Sequence, residues 1–289
     1  MEYILLTTAS FLLAVMFALN KVYQKSAGDS VRASLGYTAL NGLFSSVIFF
    51  CVNGFNVNIT PYSVLMAAAL AALVMCYTIF GFKLLKSGSM ALYTVFLMIG
   101  GMTLPYIYGL IFLDEPFSII RTIALVMLFA GVTLTKYGSG TVSAKQLAMC
   151  IAVFVINGFT SIVSKQHQIE QNFSTVATMD FVILNGIFKF ILAGTWYLFS
   201  KKEPAQAESK ASPLKITLII LLAAAASGIS SQLQLSGAST LPATVLYPFV
   251  TGGSIIFTAV LGWILFKEKL SKRLIIGIAV CFIGTILFL

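Results

Sequence analysis

An all-α integral membrane protein, with ten transmembrane helices arranged as two inverted-topology repeats of five, is the fold the sequence predicts. Three observations predict it. Ten apolar runs have roughly the 20 residues that a helix needs to cross a hydrocarbon core about 30 Å thick. Lys and Arg collect in alternate connections, and the stretch YTALNGLF at Tyr37–Phe44 returns as FVILNGIF at Phe181–Phe188. Composition agrees: with 59% hydrophobic and 9% charged residues among 289, too few charges exist to cover a water-facing surface.

The runs fall at 3–24, 33–53, 61–83, 89–113, 117–136, 144–166, 174–199, 213–236, 240–266 and 271–289. The first follows Met1-Glu2 without a basic leader region or a clear cleavage site, so it reads as a helix and not a signal peptide. Little is left outside the bilayer. The one hydrophilic connection of any length, KKEPAQAESKASP after Ser200, is too short and polar to fold alone, and no P-loop pattern occurs. Cys51, Cys76, Cys150 and Cys281 lie singly in apolar runs, without the paired spacing of zinc or redox sites, and read as packing residues. No metal and no cofactor is expected.

The net charge of +9 resides in short connections, which points to membrane orientation and not to nucleic acid. Connections after runs 1, 3, 5, 7 and 9 hold Lys25, Arg32, Lys83, Lys86, Lys136, Lys145, Lys201, Lys202, Lys210, Lys215, Lys267, Lys269, Lys272 and Arg273. The other side has chiefly Lys165 and Arg121. The positive-inside rule then places the first group in the cytoplasm and both termini outside.

The repeat extends beyond Asn-Gly. GGMTLPYIYGLIFLDEPF (Gly100–Phe117) parallels GGSIIFTAVLGWILFKEKL (Gly252–Leu270), and ALVMLFAG (Ala124–Gly131) parallels GIAVCFIG (Gly277–Gly284). The repeats are therefore 1–138 and 139–289. Because five is odd, the second copy enters the membrane from the opposite side. Asn41 and Asn185 become mates near mid-depth; the expectation is that each bonds a neighbouring helix while its glycine permits close approach, and the alternative is ligand contact.

The last third resembles the closing helices of the small multidrug resistance proteins and of the EamA-like drug/metabolite transporter superfamily. The resemblance is carried by the glycine-rich ninth run, the acidic corner at Glu268, and Gly277 and Gly284, with Glu115, Ala124 and Gly131 as looser counterparts. It implies ten helices in two inverted halves, a secondary transporter working by alternating access, and a central cavity framed by helices 1, 3, 4, 6, 8 and 9. The sequence departs from the pattern in two ways. Many superfamily members are drawn with cytoplasmic termini, against the charge bias here. The first-helix carboxylate of small multidrug proteins has no counterpart, Glu2 being terminal.

Residues three or four apart share a helix face. Tyr247, Thr251, Ser254 and Thr258 form such a polar stripe on the ninth run, and Thr94, Met98, Gly101 and Tyr108 a matching one on the fourth. Asn157 and Ser161 on the sixth run and Ser227, Ser231 and Gln234 on the eighth complete a candidate substrate-binding set. Singly each could only pack helices; together they are expected to line a cavity. Pro105 and Pro248 are candidate hinges, with a static kink as the equal alternative.

Three charges sit within runs. Lys21 and Lys189 are expected to snorkel or else to serve the cavity, and Asp180 either pairs with a base such as Lys165 or couples protons. His167 reads as a solvated interface residue. Tyr77, Tyr93, Tyr106, Tyr108, Tyr247 and Trp263 offer either an aromatic cage for a cationic solute or interfacial belts. The partners expected are a small-molecule substrate and the lipid bilayer, with the monomer the expected functional unit and a dimer the alternative. Rival functions are a lipid flippase, a channel and a membrane-embedded enzyme. No cluster of acids, histidines or nucleophiles favours the enzyme.

Overall fold

The computed structural model describes residues 2–28, 30–86, 90–136, 143–200, 212–267 and 272–288, with backbone alone for 82–83, 85–86, 90–94 and 135–136. Ten helices account for nearly all of them: α1 Glu2–Ala27, α2 Val31–Val52, α3 Pro61–Lys86, α4 Met90–Phe112, α5 Ile119–Lys136, α6 Ala144–Ile169, α7 Thr178–Phe199, α8 Pro213–Thr240, α9 Ala243–Phe266 and α10 Lys272–Ile286. Among the described residues there is no strand.

Helix limits follow local chemistry. Ser30 caps α2 by accepting from the Ala33 amide, Ser143 and Gln146 close a reciprocal capping box on α6, and Ser212 caps α8 ahead of Pro213. Lys267 adopts the left-handed conformation (φ 53°) that stops α9. Eight helices are long and apolar enough to cross a membrane. The two exceptions are α5, apolar over Ile119–Leu134, and α10, whose 15 residues fall short of the expected run 271–289. At 1.5 Å per residue α10 extends about 22 Å.

Those two short helices pack on each other. A Cβ on Gly131 would stand 2.8 Å from Gly277 O, and one on Gly284 3.1 Å from Ala124 O. The small residues that carried the repeat in sequence are thus the seam where α5 and α10 touch, as expected where lipid offers no hydrophobic drive and close backbone packing must supply the attraction. Isoleucines on the other faces, Ile119, Ile123, Ile275 and Ile283 among them, are at least half exposed to the lipid side.

Packing partners exchange in pairs. Helix α1 packs on α8 and α9, as α6 packs on α3 and α4; α2 meets α8 as α7 meets α3; and α2 with α7, α4 with α9 and α5 with α10 are self-paired. Replacing each helix by the one five later returns each of these interfaces. The halves of the sequence interleave, since nearly every large interface joins a helix of one to a helix of the other.

Candidate functional site

The bundle encloses a cavity of about 620 Å³, within the range of small-molecule sites. Its lining runs from Ser164 and Tyr247 to Gln24, Phe266 and Leu274, that is, towards the lysine-rich ends of α1, α3 and α9. Eight helices contribute heavily. The expected α1, α3, α4, α6, α8 and α9 are joined by α2 and α7, which bring Tyr37, Thr38, Asn41, Asn185 and Lys189.

The structure brings together most of the predicted residues. Met98 and Gly101 from α4, Asn157 and Ser161 from α6, and Ser227, Ser231 and Gln234 from α8 line the cavity, as do Tyr247, Thr251, Ser254 and Thr258 from α9. Several are already engaged: Asn157 Nδ2 donates to Leu97 O (2.7 Å), Ser161 Oγ to Gly101 O (3.3 Å), Ser254 Oγ to Thr251 O (2.8 Å) and Gln234 Nε2 to Ser230 Oγ (3.1 Å). Three buried polar atoms of lining residues have no protein partner: Tyr37 Oη, Asn185 Oδ1 and Thr258 Oγ1. Buried groups of this kind need a water or a solute to avoid a cost of about 1–3 kcal/mol each.

The repeated Asn-Gly divides its labour. Its glycines form the α2–α7 crossing, where a Cβ on Gly42 would lie 2.6 Å from Gly186 O and one on Gly186 2.7 Å from Gly42 O. Ser46 Oγ spans the crossing to Ile183 O at 3.0 Å. The asparagines face the cavity, contrary to the expected helix-to-helix bonds: with backbones this close, the amides one residue away are turned aside from the seam.

Other expectations are corrected. Tyr108 does not line the cavity; its hydroxyl donates to Gln166 Oε1 (2.7 Å), whose Nε2 donates to Glu170 (3.1 Å) at the end of α6. The Asn172 amide above all, with Gln166 and Tyr62, holds the Glu170 carboxyl below the usual range. Asp180 is buried and off the cavity, accepting from Asn53 Nδ2 (2.7 Å) and Asn58 Nδ2 (3.1 Å), so it does not pair with Lys165. His167 is fully buried, not solvated: Nε2 meets Ser63 Oγ at 2.8 Å and the ring stacks on Phe181. The aromatic cage is not assembled. Tyr77 and Tyr247 line the cavity, but the Tyr106 hydroxyl bonds Thr122 and Trp263 is half exposed on the outside. Pro105 and Pro248 are buried inside helices that run on through them. The side chains of Thr94 and Tyr93, and all of Glu268, lie outside the described residues.

Neither cavity lysine snorkels away. Lys21 lines the cavity with its ammonium 4.6 Å from the centre of the Phe266 ring, and Lys189 lines it from α7. Among the described lining residues there is no Asp or Glu.

Beyond Tyr247 polar bonds tie the helices together. Tyr247 Oη donates to Ser161 O at 2.7 Å. Buried Lys165 donates to Ala238 O (2.7 Å) and Leu241 O (2.8 Å) at the C-terminus of α8, and Glu115 accepts from Ala243 N (2.6 Å), Thr244 N (2.9 Å) and Thr244 Oγ1 (2.6 Å) at the N-terminus of α9. Each charge sits at the helix end whose dipole it complements. This clamp on the α8–α9 turn was missed in sequence, although a signal exists: Lys21 and Lys165 stand the same distance apart as Asn41 and Asn185, each with Gln three residues on.

The sequence pattern of the EamA-like transporter family matches residues 144–289. The chain belongs to that family. No curated protein matches the sequence. A solved structure titled "Crystal structure of protein" superposes with a TM-score of 0.76 over 98% of this EamA-like chain and 94% of its own, at 14% identity, a likeness that speaks for the fold. The family is one of membrane transporters of the drug/metabolite superfamily and not of enzymes, and the chain is a multi-pass membrane protein.

Proposed function

We propose that this EamA-like protein is a secondary transporter that moves a small polar organic solute across the cytoplasmic membrane by alternating access. One observation carries the reading: a cavity of about 620 Å³, lined by hydroxyls, amides and two lysines, inside a bundle whose outer faces are apolar. Polar side chains are costly in lipid and are retained where water or solute meets them. The exchange-symmetric packing supports two quintets of opposite sense, 1–138 and 139–289, the architecture that lets one closed end trade places with the other. With the lysine-rich ends in the cytoplasm and both termini outside, the cavity reaches towards the cytoplasm and the Glu115–Lys165 clamp closes the outer side. The transporting unit is a monomer.

The test is flux in liposomes containing the purified protein. Counterflow of a solute that binds it should saturate, and Thr258→Trp, which projects an indole into the cavity, should abolish it while the protein still elutes as a single species. Flux that rises linearly with concentration, or that survives Thr258→Trp, overturns the reading.

Asp180 serves structure in this scheme. Asp180→Asn puts an amide donor against one of the two asparagine donors, so a loss of about 1–3 kcal/mol in stability is expected. The ratio of uptake with and without a pH gradient should not move. A changed ratio would restore the residue as a proton carrier.

A further inference from the structure

Off the main cavity, where α2, α7 and α8 meet, lies a niche of about 20 Å³, large enough for one water-sized group. Its walls are almost entirely polar or backbone: Asn41, Ser45, Asn185, Lys189, Ser227 and Ser231. One of these groups is a cation without a counter-ion and another is unsatisfied. Lys189 has neither an acceptor nor a carboxylate among the described residues, and Asn185 Oδ1, one turn before it on α7, is buried without a donor. The floor is the Gly42–Gly186 crossing, so the niche rests on the most tightly packed backbone contact of α2 with α7 and cannot collapse on the ammonium.

Within the transport reading above, on which this inference rests, we propose that Lys189 is the specificity-determining cation of an anion subsite, and that the transported solute carries a carboxylate which enters this niche. A cation in a low-dielectric wall with no counter-ion attracts one strongly. The lining holds no acid among its described residues, so an amine would find no counter-ion there. A carboxylate suits the niche, where one of its oxygens fits and meets Lys189 and the serine hydroxyls. A solute hydroxyl beside the carboxylate would satisfy Asn185 Oδ1.

Thermal unfolding of the purified full chain in detergent, at fixed ionic strength, tests this with matched probes: butyrate against butyramide, benzoate against benzamide, and L-phenylalanine against phenethylamine. At least one acid should raise Tm by about 2 °C more than its uncharged or decarboxylated partner, as ligand linkage predicts. Lys189→Met should erase the difference and Lys189→Arg keep it; where the Met variant does not fold, Lys189→Gln is read instead. The subsite is overturned if no acid exceeds its partner in the unmodified protein, or if the difference survives loss of the Lys189 charge. Radiolabelled flux in liposomes separates the two readings. An acid that binds through Lys189 but is not carried sinks transport and leaves the subsite; saturable flux of the amides or amine with no preference for acids sinks the subsite and leaves transport.

Discussion

Replacing Gly186 by leucine will cost this protein about 3 kcal/mol or more. A Cβ there meets Ser46 Oγ at once, with Gly42 O at 2.7 Å and Ser46 N at 3.3 Å. Two of those three atoms are backbone, so no rotamer change relieves the contact, and α2 must move away from α7 along the whole crossing. Separation breaks the Ser46 Oγ to Ile183 O bond (3.0 Å) and lifts the floor of the polar niche. Overpacking of this kind costs about 1–3 kcal/mol, and a broken interhelical hydrogen bond in lipid about 0.6 more. Gly194 on the same helix is the control. A Cβ there finds only Ala39 Cβ at 4.0 Å, and Gly194→Ala should be neutral or slightly stabilising. Thermal unfolding in detergent reads both. A Tm for Gly186→Leu within about 1 °C of the parent would show that the crossing tolerates separation.

Much of the bundle was legible because lipid enforces simple rules. Apolar length gave the helices, and the small residues matched in sequence prove to lie at the α5–α10 and α2–α7 seams, pairings that no sequence pattern named. The polar stripes of α6, α8 and α9 faced inward as their spacing required. What failed was lateral geometry. Periodicity fixes a residue's azimuth on its own helix but says nothing of how far the neighbouring helix stands, so Asp180 and Lys165 were matched by charge alone. Asn53 and Asn58 hold the first, and helix-end carbonyls hold the second. Helix α2 escaped notice as a cavity wall although Ser34, Thr38, Asn41 and Ser45 stand at helical spacing, and α7 because it carries no such run. Tyr37, Asn41, Asn185 and Lys189 are a mixed set whose common direction only the crossing reveals. His167 was taken for solvated because it follows a lysine near a helix end; its burial depends on Ser63 and Phe181, both remote in sequence.

Lys165→Met and Glu115→Gln will each open the end of the bundle that lies beyond Tyr247. Lys165 is 5% exposed and donates to two carbonyls of α8, while Glu115 accepts three bonds from the first residues of α9 and its charge also acts on Lys165. The turn between α8 and α9 is therefore held by one acid and one base from two other helices. Removing either strips a helix end of its charged partner, two carbonyls of α8 for Lys165 and two amides and a hydroxyl of α9 for Glu115, a loss of about 1–3 kcal/mol. The two groups act on one turn, so the double variant should cost less than the sum of the single ones, by about 1 kcal/mol in a thermodynamic cycle. Closure of this end is a separate readout from stability. With Thr251→Cys as a reporter inside the cavity, and the exposed Cys51 and Cys76 replaced by serine, a membrane-impermeant thiol reagent applied from the lysine-poor side should label Glu115→Gln at least tenfold faster than the parent. Its rate from the lysine-rich side should change little, because Lys21, Gln24 and Phe266 at that end are untouched. Equal acceleration from both sides would mean general loosening, and no acceleration would mean that Tyr247 and its bond to Ser161 close the cavity without the clamp.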